Sequence, residues 1–404
     1  MKIEQETLDM LGSIEHVANL LKNTFVAKDE LVELLITCAV AQEHLLIIGP
    51  PGTAKSELIK RFAQLCSNTA TDSDQLSYFE YLLTRFTEPN ELFGPIDIPA
   101  FREGQGARRN TQSMLPRAEI VFLDEVFKAN SAILNALLSI LNERVFYNGS
   151  TSETVPLLFA VGATNNVPDD LELNALYDRF LLRFWTDNVE EALFPELFQR
   201  GWKLERDRMA RGHGLMLDNI ITTNEVRTLH RTLERVDLNT IAQEYREVVR
   251  RIRSEGIQIS DRRVVKLLKL IAASALRHKR MAANPGDFWV LRHIWNDPQQ
   301  IPHLQTIIDP YVQAYQGDAW SAERSLDDID GDLRLLNSQR AHLKTDTDYV
   351  DFLQQLEGLR RELLCHSASS ERAAPAGQTR RKDALSKRVD LEIEELMKLL
   401  QQQL

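Results

Sequence analysis

Apolar residues over the first 43 positions recur at three- and four-residue steps. Leu8, Leu11, Ile14, Val17 and Leu21 form one stripe, and Leu31, Leu34, Leu35 and Cys38 another. That spacing predicts two amphipathic helices. The period then changes. His44 to Ile48 is a short apolar run closed by Gly-Pro-Pro-Gly, and helical spacing resumes over 57–65, so the order is strand, glycine loop, helix. Residues 78–83, 120–123, 157–161 and 180–185 are further strand-like runs, with helical patterns such as 131–141 between them. Strands alternating with helices predict an α/β core whose parallel sheet is covered on both faces.

Two segments break the alternation. Residues 94–117 mix Gly, Pro and charge, and 144–155 carry the turn-rich Tyr-Asn-Gly-Ser between β-prone pieces; each reads as a hairpin. Beyond residue 187 the strand signal stops, and the pattern is helical with breaks at Asn284-Pro285-Gly286, Pro302 and Pro310. In the last hundred residues three stripes follow one another: Leu326 to Leu343, Phe352 to Leu363 and Leu385 to Leu400. A Ser-, Ala-, Pro- and Gly-rich loop at 366–379 lies between the second and third. The pattern therefore predicts three parts: an α/β core with its leading helices over 1–190, an all-α domain over 191–303, and a C-terminal helical bundle over 304–404. An intramolecular bundle and a self-association coiled coil print the same stripes.

Composition narrows the function classes. The chain has 48 Lys+Arg against 59 Asp+Glu, a net charge of −11, the wrong sign for a surface that grips nucleic acid or anionic lipid throughout. The basic runs 246–253 and 380–388 carry acidic neighbours and helical spacing and read as solvated helix faces. No apolar run approaches the roughly 18 residues of a membrane span, and no basic-then-apolar leader opens the sequence, so no membrane partner and a cytoplasmic location are expected. Cys38, Cys66 and Cys365 lie far apart in apolar contexts, as reduced core thiols do.

The chemistry concentrates at Gly49, Pro50, Pro51, Gly52, Thr53, Ala54, Lys55 and Ser56. A tight loop between a strand and a helix turns successive N–H groups toward phosphate oxygens, and the helix N-terminus adds partial positive charge. Lys55 contributes a full charge and Ser56 a hydroxyl suited to a phosphate-bound Mg²⁺. Ala54 stands where such loops commonly place a second glycine. Farther on, the apolar run 120–123 ends in Asp124 and Glu125. Asp124 suits Mg²⁺, and Glu125 can polarise a water that attacks the γ-phosphorus. By itself this run would be a strand entering a polar turn; the upstream phosphate loop reverses that reading.

With those motifs in place, the chain resembles an AAA+ ATPase. Residues 82–86, Glu91-Leu92-Phe93-Gly94-Pro95 and Leu123-Asp124-Glu125 are similar to the MoxR family, and residues 176–179 and 260–263 to its RavA-like branch. The resemblance covers about residues 5–300. It implies ATP with Mg²⁺, held between the core and a helical lid. It assigns Asn165 as a sensor of the γ-phosphate and Arg179 as an arginine finger that reaches a neighbouring protomer's ATP. Arg262 becomes a second sensor on the lid, closing over the nucleotide, with Arg263 as the alternative. The two interruptions would face a central opening, where Phe101, Phe146 and Tyr147 grip a partner chain beside Arg108 and Arg109. The implied assembly is a homo-oligomeric ring, a hexamer. The implied work is chaperone-like remodelling or activation of a client, with a von Willebrand factor A (vWA) partner. Two rivals are a DNA-directed motor, which the acidic composition opposes, and a nucleotide-gated scaffold, which Glu125 and Arg179 oppose.

Overall fold

The computed structural model describes residues 3–66, 76–102, 107–168, 173–211 and 219–315, and beyond them residues 333, 352, 356 and 385–393. The chain divides into two units, 1–315 and 316–404. The first opens with helices α1 (Gln5–Thr24) and α2 (Asp29–Ala41). Then come β1 (His44–Ile48), α3 (Lys55–Leu65), β2 (Leu76–Leu82), α4 (Pro89–Phe93), α5 (Ile98–Arg102), β3 (Ala118–Asp124) and α6 (Ser131–Glu143). The hairpin β4 (Val145–Asn148) and β5 (Thr151–Thr154) precedes β6 (Phe159–Thr164), α7 (Asn174–Tyr177) and β7 (Phe180–Trp185). Helices α8 (Phe194–Arg211), α9 (Thr223–Thr232), α10 (Ala242–Ser254) and α11 (Asp261–Arg277), a 3-10 stretch Pro285–His293 and α12 (Ile301–Ala314) complete the unit.

The central sheet has the order β2-β3-β6-β1-β7, and each pairing in it is parallel. Every residue of β1 and β6 is buried, as expected of central strands covered by helices on both sides. The strand order makes β1 the switch point, flanked by β6 and β7, and in open parallel sheets the crevice at the carboxyl ends of such strands is where ligands bind.

The amino-end edge of the sheet is built differently. His44, at the start of β1, accepts the Ala160 N–H on Nδ1 at 3.0 Å, so the Nε2–H tautomer donates to Leu141 O at 2.8 Å. Burial, and then the Arg144 guanidinium, hold its pKa well below the usual histidine value. A histidine depressed in the folded state takes up a proton more readily when unfolded. Its contribution is present above the unfolded value of about 6.5 and is lost as pH falls through that range. Unfolding free energy should therefore fall by about 1.4 kcal/mol per pH unit from this group below about pH 6.5. Urea titrations at pH 7.5, 6 and 5 would measure it, with a shallower slope expected for His44→Asn.

Charged ties join α11 to this edge and to the leading helices. Lys266 Nζ lies 2.9 Å from Glu43 Oε2, and Lys269 pairs with the same carboxylate. Arg277 reaches Glu33 Oε2 at 2.6 Å inside the packed α2, where Lys22 also pairs with Glu33. Burial alone would raise the Glu33 carboxyl, but Arg277 and Lys22 hold it down at about 2.

Two expectations change. Leu304, Ile307, Ile308 and Val312 of α12 are buried within the first unit, so that unit runs past residue 303 and the C-terminal part begins at 316. Among the described residues of 94–117 no full hairpin forms: Ile96 bridges Arg109 antiparallel, and α5 lies between them in sequence. The segment 144–155 is the expected hairpin, with Val145 opposite Thr154. Of the C-terminal unit, residues 385–393 are helical, and Leu333, Phe352, Leu356, Leu385 and Val389 are buried. The loop 366–379 and most of the three stripes lie outside the described residues, as does Cys365; Cys38 and Cys66 are buried free thiols.

Candidate active site

The loop after β1 is shaped by close packing at its first residue. A Cβ on Gly49 would stand 1.9 Å from the Thr186 carbonyl oxygen just past β7, so only glycine lets the loop leave between β6 and β7. Backbone bonds pin that exit, with Gly49 N–H donating to Thr164 O at 3.1 Å and Thr186 N–H to Ile48 O at 2.8 Å. Ala54 adopts φ 59° and ψ 24°, the left-handed region in which its Cβ costs about 1 kcal/mol relative to glycine. The second-glycine position thus keeps the glycine conformation with an alanine in it. Helix α3 begins at Lys55, and its first turn carries Ser56.

Lys55 is 8 % exposed, and its ammonium donates to Gly49 O at 2.9 Å and Pro50 O at 2.8 Å, while Thr53 Oγ1 donates to Pro50 O at 3.1 Å. Burial lowers the Lys55 pKa, and the Asp124 and Glu125 carboxylates oppose that shift. The loop and the acidic pair therefore share one field. Asp124 closes β3, and its Oδ1 accepts the Glu125 N–H at 3.0 Å. Strand β6 lies between β3 and β1, which sets the acidic pair two strand spacings, about 10 Å, from the loop.

Asn165 follows β6 in that gap and donates from Nδ2 to Glu125 Oε1 at 2.5 Å. Lys128 Nζ stands 3.2 Å from the same oxygen. Glu125 itself has φ 53°, a left-handed turn that swings its side chain away from the strand direction. Sequence reasoning missed Lys128, although its position three residues after Glu125, opposite in charge, was a usable signal.

The residues fit a phosphate-bound Mg²⁺. This ion keeps several waters and takes one or two protein oxygens beside phosphate oxygens. The Ser56 hydroxyl and Asp124 carboxylate supply such a pair. Among the described residues no group of three His, Cys, Asp or Glu forms a self-sufficient metal cage, so the donor set suits an ion that arrives with its phosphates.

Arg179 and Arg262 are not part of this cluster. Arg179 immediately precedes β7, whose first residue pairs with His44, so it belongs to the amino-end edge. Asp178 does not pair with it; that carboxylate is 3.7 Å from Arg183. Burial first, and then the Arg262 charge, lower the Arg179 pKa, which brings the two guanidiniums into one region. Arg262 is exposed at the start of α11 and donates to Asn142 Oδ1 near the end of α6. One helical turn farther, Lys266 is tied to Glu43, just before β1. Glu43 and Gly49 are separated by the length of β1, about 20 Å. The ion pairs of α11 thus hold Arg262, the residue expected to close over the nucleotide, at the edge of the sheet opposite the loop of its own chain.

The alternative, Arg263, is 6 % exposed and committed inside, donating to Asn296 Oδ1 at 2.9 Å and Ile294 O at 2.8 Å. Beside it Arg183 is fully buried in β7. It donates to Asn296 Oδ1 and Trp295 O and stacks its guanidinium 4.0 Å from the centroid of the Tyr177 ring. A lone arginine in the apolar run 180–185 was the sequence signal for this support, which ties the segment carrying Arg179 to the end of the helical part.

Of the three aromatics expected to grip a partner chain, Phe101 and Tyr147 are exposed. Phe146 is buried at 4 % exposure, stacked on Phe93 with ring centroids 5.3 Å apart, and so is a packing residue.

Two family models match the chain. One is the MoxR domain in the MoxR-vWA-beta-propeller ternary systems, over residues 12–229, and the other an AAA lid domain, over residues 237–308. The chain belongs to the MoxR family of AAA+ ATPases. It is 35% identical over 331 residues to the uncharacterized protein MJ0812 of Methanocaldococcus jannaschii, covering 82% of this chain and 84% of that one. It is 26% identical over 169 residues to the chaperone MoxR1 of Mycobacterium tuberculosis, covering 40% of this chain and 41% of that protein. Its fold is shared with the crystal structure of a candidate ATPase from Cytophaga hutchinsonii, with a TM-score of 0.58 and 18% identity over 76% of this chain and 96% of the other. The lid match spans α10, α11 and most of α12, so Arg262 sits on the lid of a MoxR-family protein. The RavA-like placement rests on residues 176–179 and 260–263 alone. Among the described residues no helix is long and apolar enough to cross a membrane.

Proposed function

We propose that this MoxR-family chain hydrolyses ATP with Mg²⁺ in a homo-oligomeric ring, a hexamer by family resemblance, and uses the cycle to remodel a protein client. The observation that carries the reading is the division of the chemistry between two edges of one sheet. Lys55, Ser56, Asp124, Glu125 and Asn165 converge at the carboxyl edge, whereas Arg179 and Arg262 stand at the amino edge. Neither arginine reaches the loop of its own chain, which supports assigning both to the loop of a second protomer.

Each side chain then has a definite task. Gly52, Thr53 and Ala54 turn backbone N–H groups to the phosphates, and Lys55 offsets β- and γ-phosphate charge. Glu125 accepts the proton of the attacking water, while Asn165 and Lys128 hold its carboxylate in place. Arg179 and Arg262 of the adjoining protomer offset the charge that spreads over the transferred phosphoryl group. Ser56 and Asp124 would hold Mg²⁺, which when bound would supply further positive charge at the phosphates. The matched family description names a vWA protein and a β-propeller, and a vWA-domain protein is the partner we propose for this chain.

The test is ATP turnover by the purified chain, with and without Mg²⁺, over a range of protein concentrations and with the assembly mass followed in parallel. The expected result is Mg²⁺-dependent turnover whose specific rate rises as the ring forms. Undiminished turnover by a monomer would overturn the split-site reading, and absence of turnover at every concentration would overturn hydrolysis itself.

A further inference from the structure

Lys28 lies between α1 and α2, where sequence pattern assigns no chemistry, and it is 6 % exposed. Its ammonium donates to Thr186 Oγ1 at 2.6 Å and to Asp187 O at 3.1 Å. Both acceptors are uncharged, and among the described residues no carboxylate stands within ion-pair distance of it. A buried ammonium without an anionic partner is costly to a fold. Here that cost is borne at one particular place. Thr186 is the residue whose carbonyl packs against Gly49, so Lys28 is one hydrogen bond from the residue that seats the phosphate loop.

A second cation points the same way. Lys55 lies near enough that its charge, after burial, is the next cause lowering the Lys28 pKa, with Asp187 acting in the opposite direction. Two ammonium groups thus face the base of one loop. Asp124 and Glu125 balance Lys55, whereas the balance at Lys28 is left to neutral acceptors and the Asp187 field. Such an excess of positive charge raises affinity for a polyanion while working against the stability of the fold.

We propose that Lys28 is a second cation of the polyphosphate site, a specificity-determining residue that raises affinity for nucleoside triphosphate through its charge and steadies Gly49 through Thr186. The proposal rests on the ATP reading given above, and the experiment separates the two.

ATP affinity and thermal stability are measured on the full chain for the native protein, Lys28→Met and Lys28→Arg, using a fluorescent ATP analogue displaced by ATP in the presence of Mg²⁺. Lys28→Met is expected to weaken ATP binding at least about tenfold while its melting temperature stays level or rises. Lys28→Arg, which keeps the charge, is expected to restore most of the affinity. A purely structural lysine gives a different signature. Unchanged ATP affinity in Lys28→Met, a lowered melting temperature or failure of that variant to fold, or failure of Lys28→Arg to restore binding would each overturn the proposal. Absence of ATP binding by the native chain would overturn the ATP reading instead.

Discussion

Glu125→Gln lowers kcat for ATP hydrolysis by about 100- to 10,000-fold and leaves ATP affinity close to native, because it removes the base and keeps the shape. Glutamine is isosteric with glutamate, and its carbonyl oxygen can still accept from Asn165 Nδ2, which stands 2.5 Å from Glu125 Oε1. The contact with Lys128 loses its charge, but Lys128 is half exposed and such a pair contributes little. The phosphate loop, two strands away, is untouched. Single-turnover hydrolysis with prebound ATP reads the chemical step apart from binding and release. Equal single-turnover rates for the two proteins would remove Glu125 from the mechanism, and loss of ATP binding would make it a structural residue.

Arg179→Ala has an effect of similar size through a different route. An arginine that completes a phosphoryl-transfer site from a neighbouring subunit accelerates it by about 10³-fold or more. Arg179 is half-buried at the amino edge, and its position is supported by Arg183, Tyr177 and Asn296 rather than by its own salt bridge. Truncation therefore removes a charge without emptying a core. The decisive measurement is mixing. Arg179→Ala and Glu125→Gln are each nearly inactive alone, but a ring containing both holds some sites where an intact Glu125 meets an intact Arg179. Turnover should reappear when the two variants are combined and subunits exchange. If the mixture stays as inactive as its components while rings form, Arg179 does not act across protomers.

The parts of this protein that were legible early are those whose physics is local. A phosphate loop is one contiguous stretch, and its strand-before, helix-after context is printed in the neighbouring residues. Strands β1, β3 and β6 were visible as apolar runs because central parallel strands are buried on both faces, whereas the edge strand β2 is only partly buried. Asp124 and Glu125 showed themselves as charges at the end of such a run. The hairpin 145–154 was marked by its Asn-Gly turn, whereas the described residues of 94–117, of similar composition, carry α5 and the bridge between Ile96 and Arg109. Composition could not separate those two outcomes.

What stayed hidden depends on residues far apart in the chain. Lys28 matters because Thr186 and Gly49 fold beside it, and no window of sequence contains all three. Phe146 was a candidate for an exposed grip until Phe93 covered it. The choice between Arg262 and Arg263 is a matter of which side of α11 faces Asn296 and which faces Asn142. The sequence by itself determined the chemistry on offer: a loop for phosphates, a carboxylate base, and cations to offset charge. Only the tertiary structure decided that these lie at opposite edges of one sheet. The length of β1 keeps the loop and the two arginines apart, and that separation is what the proposed sharing of the site between protomers rests on.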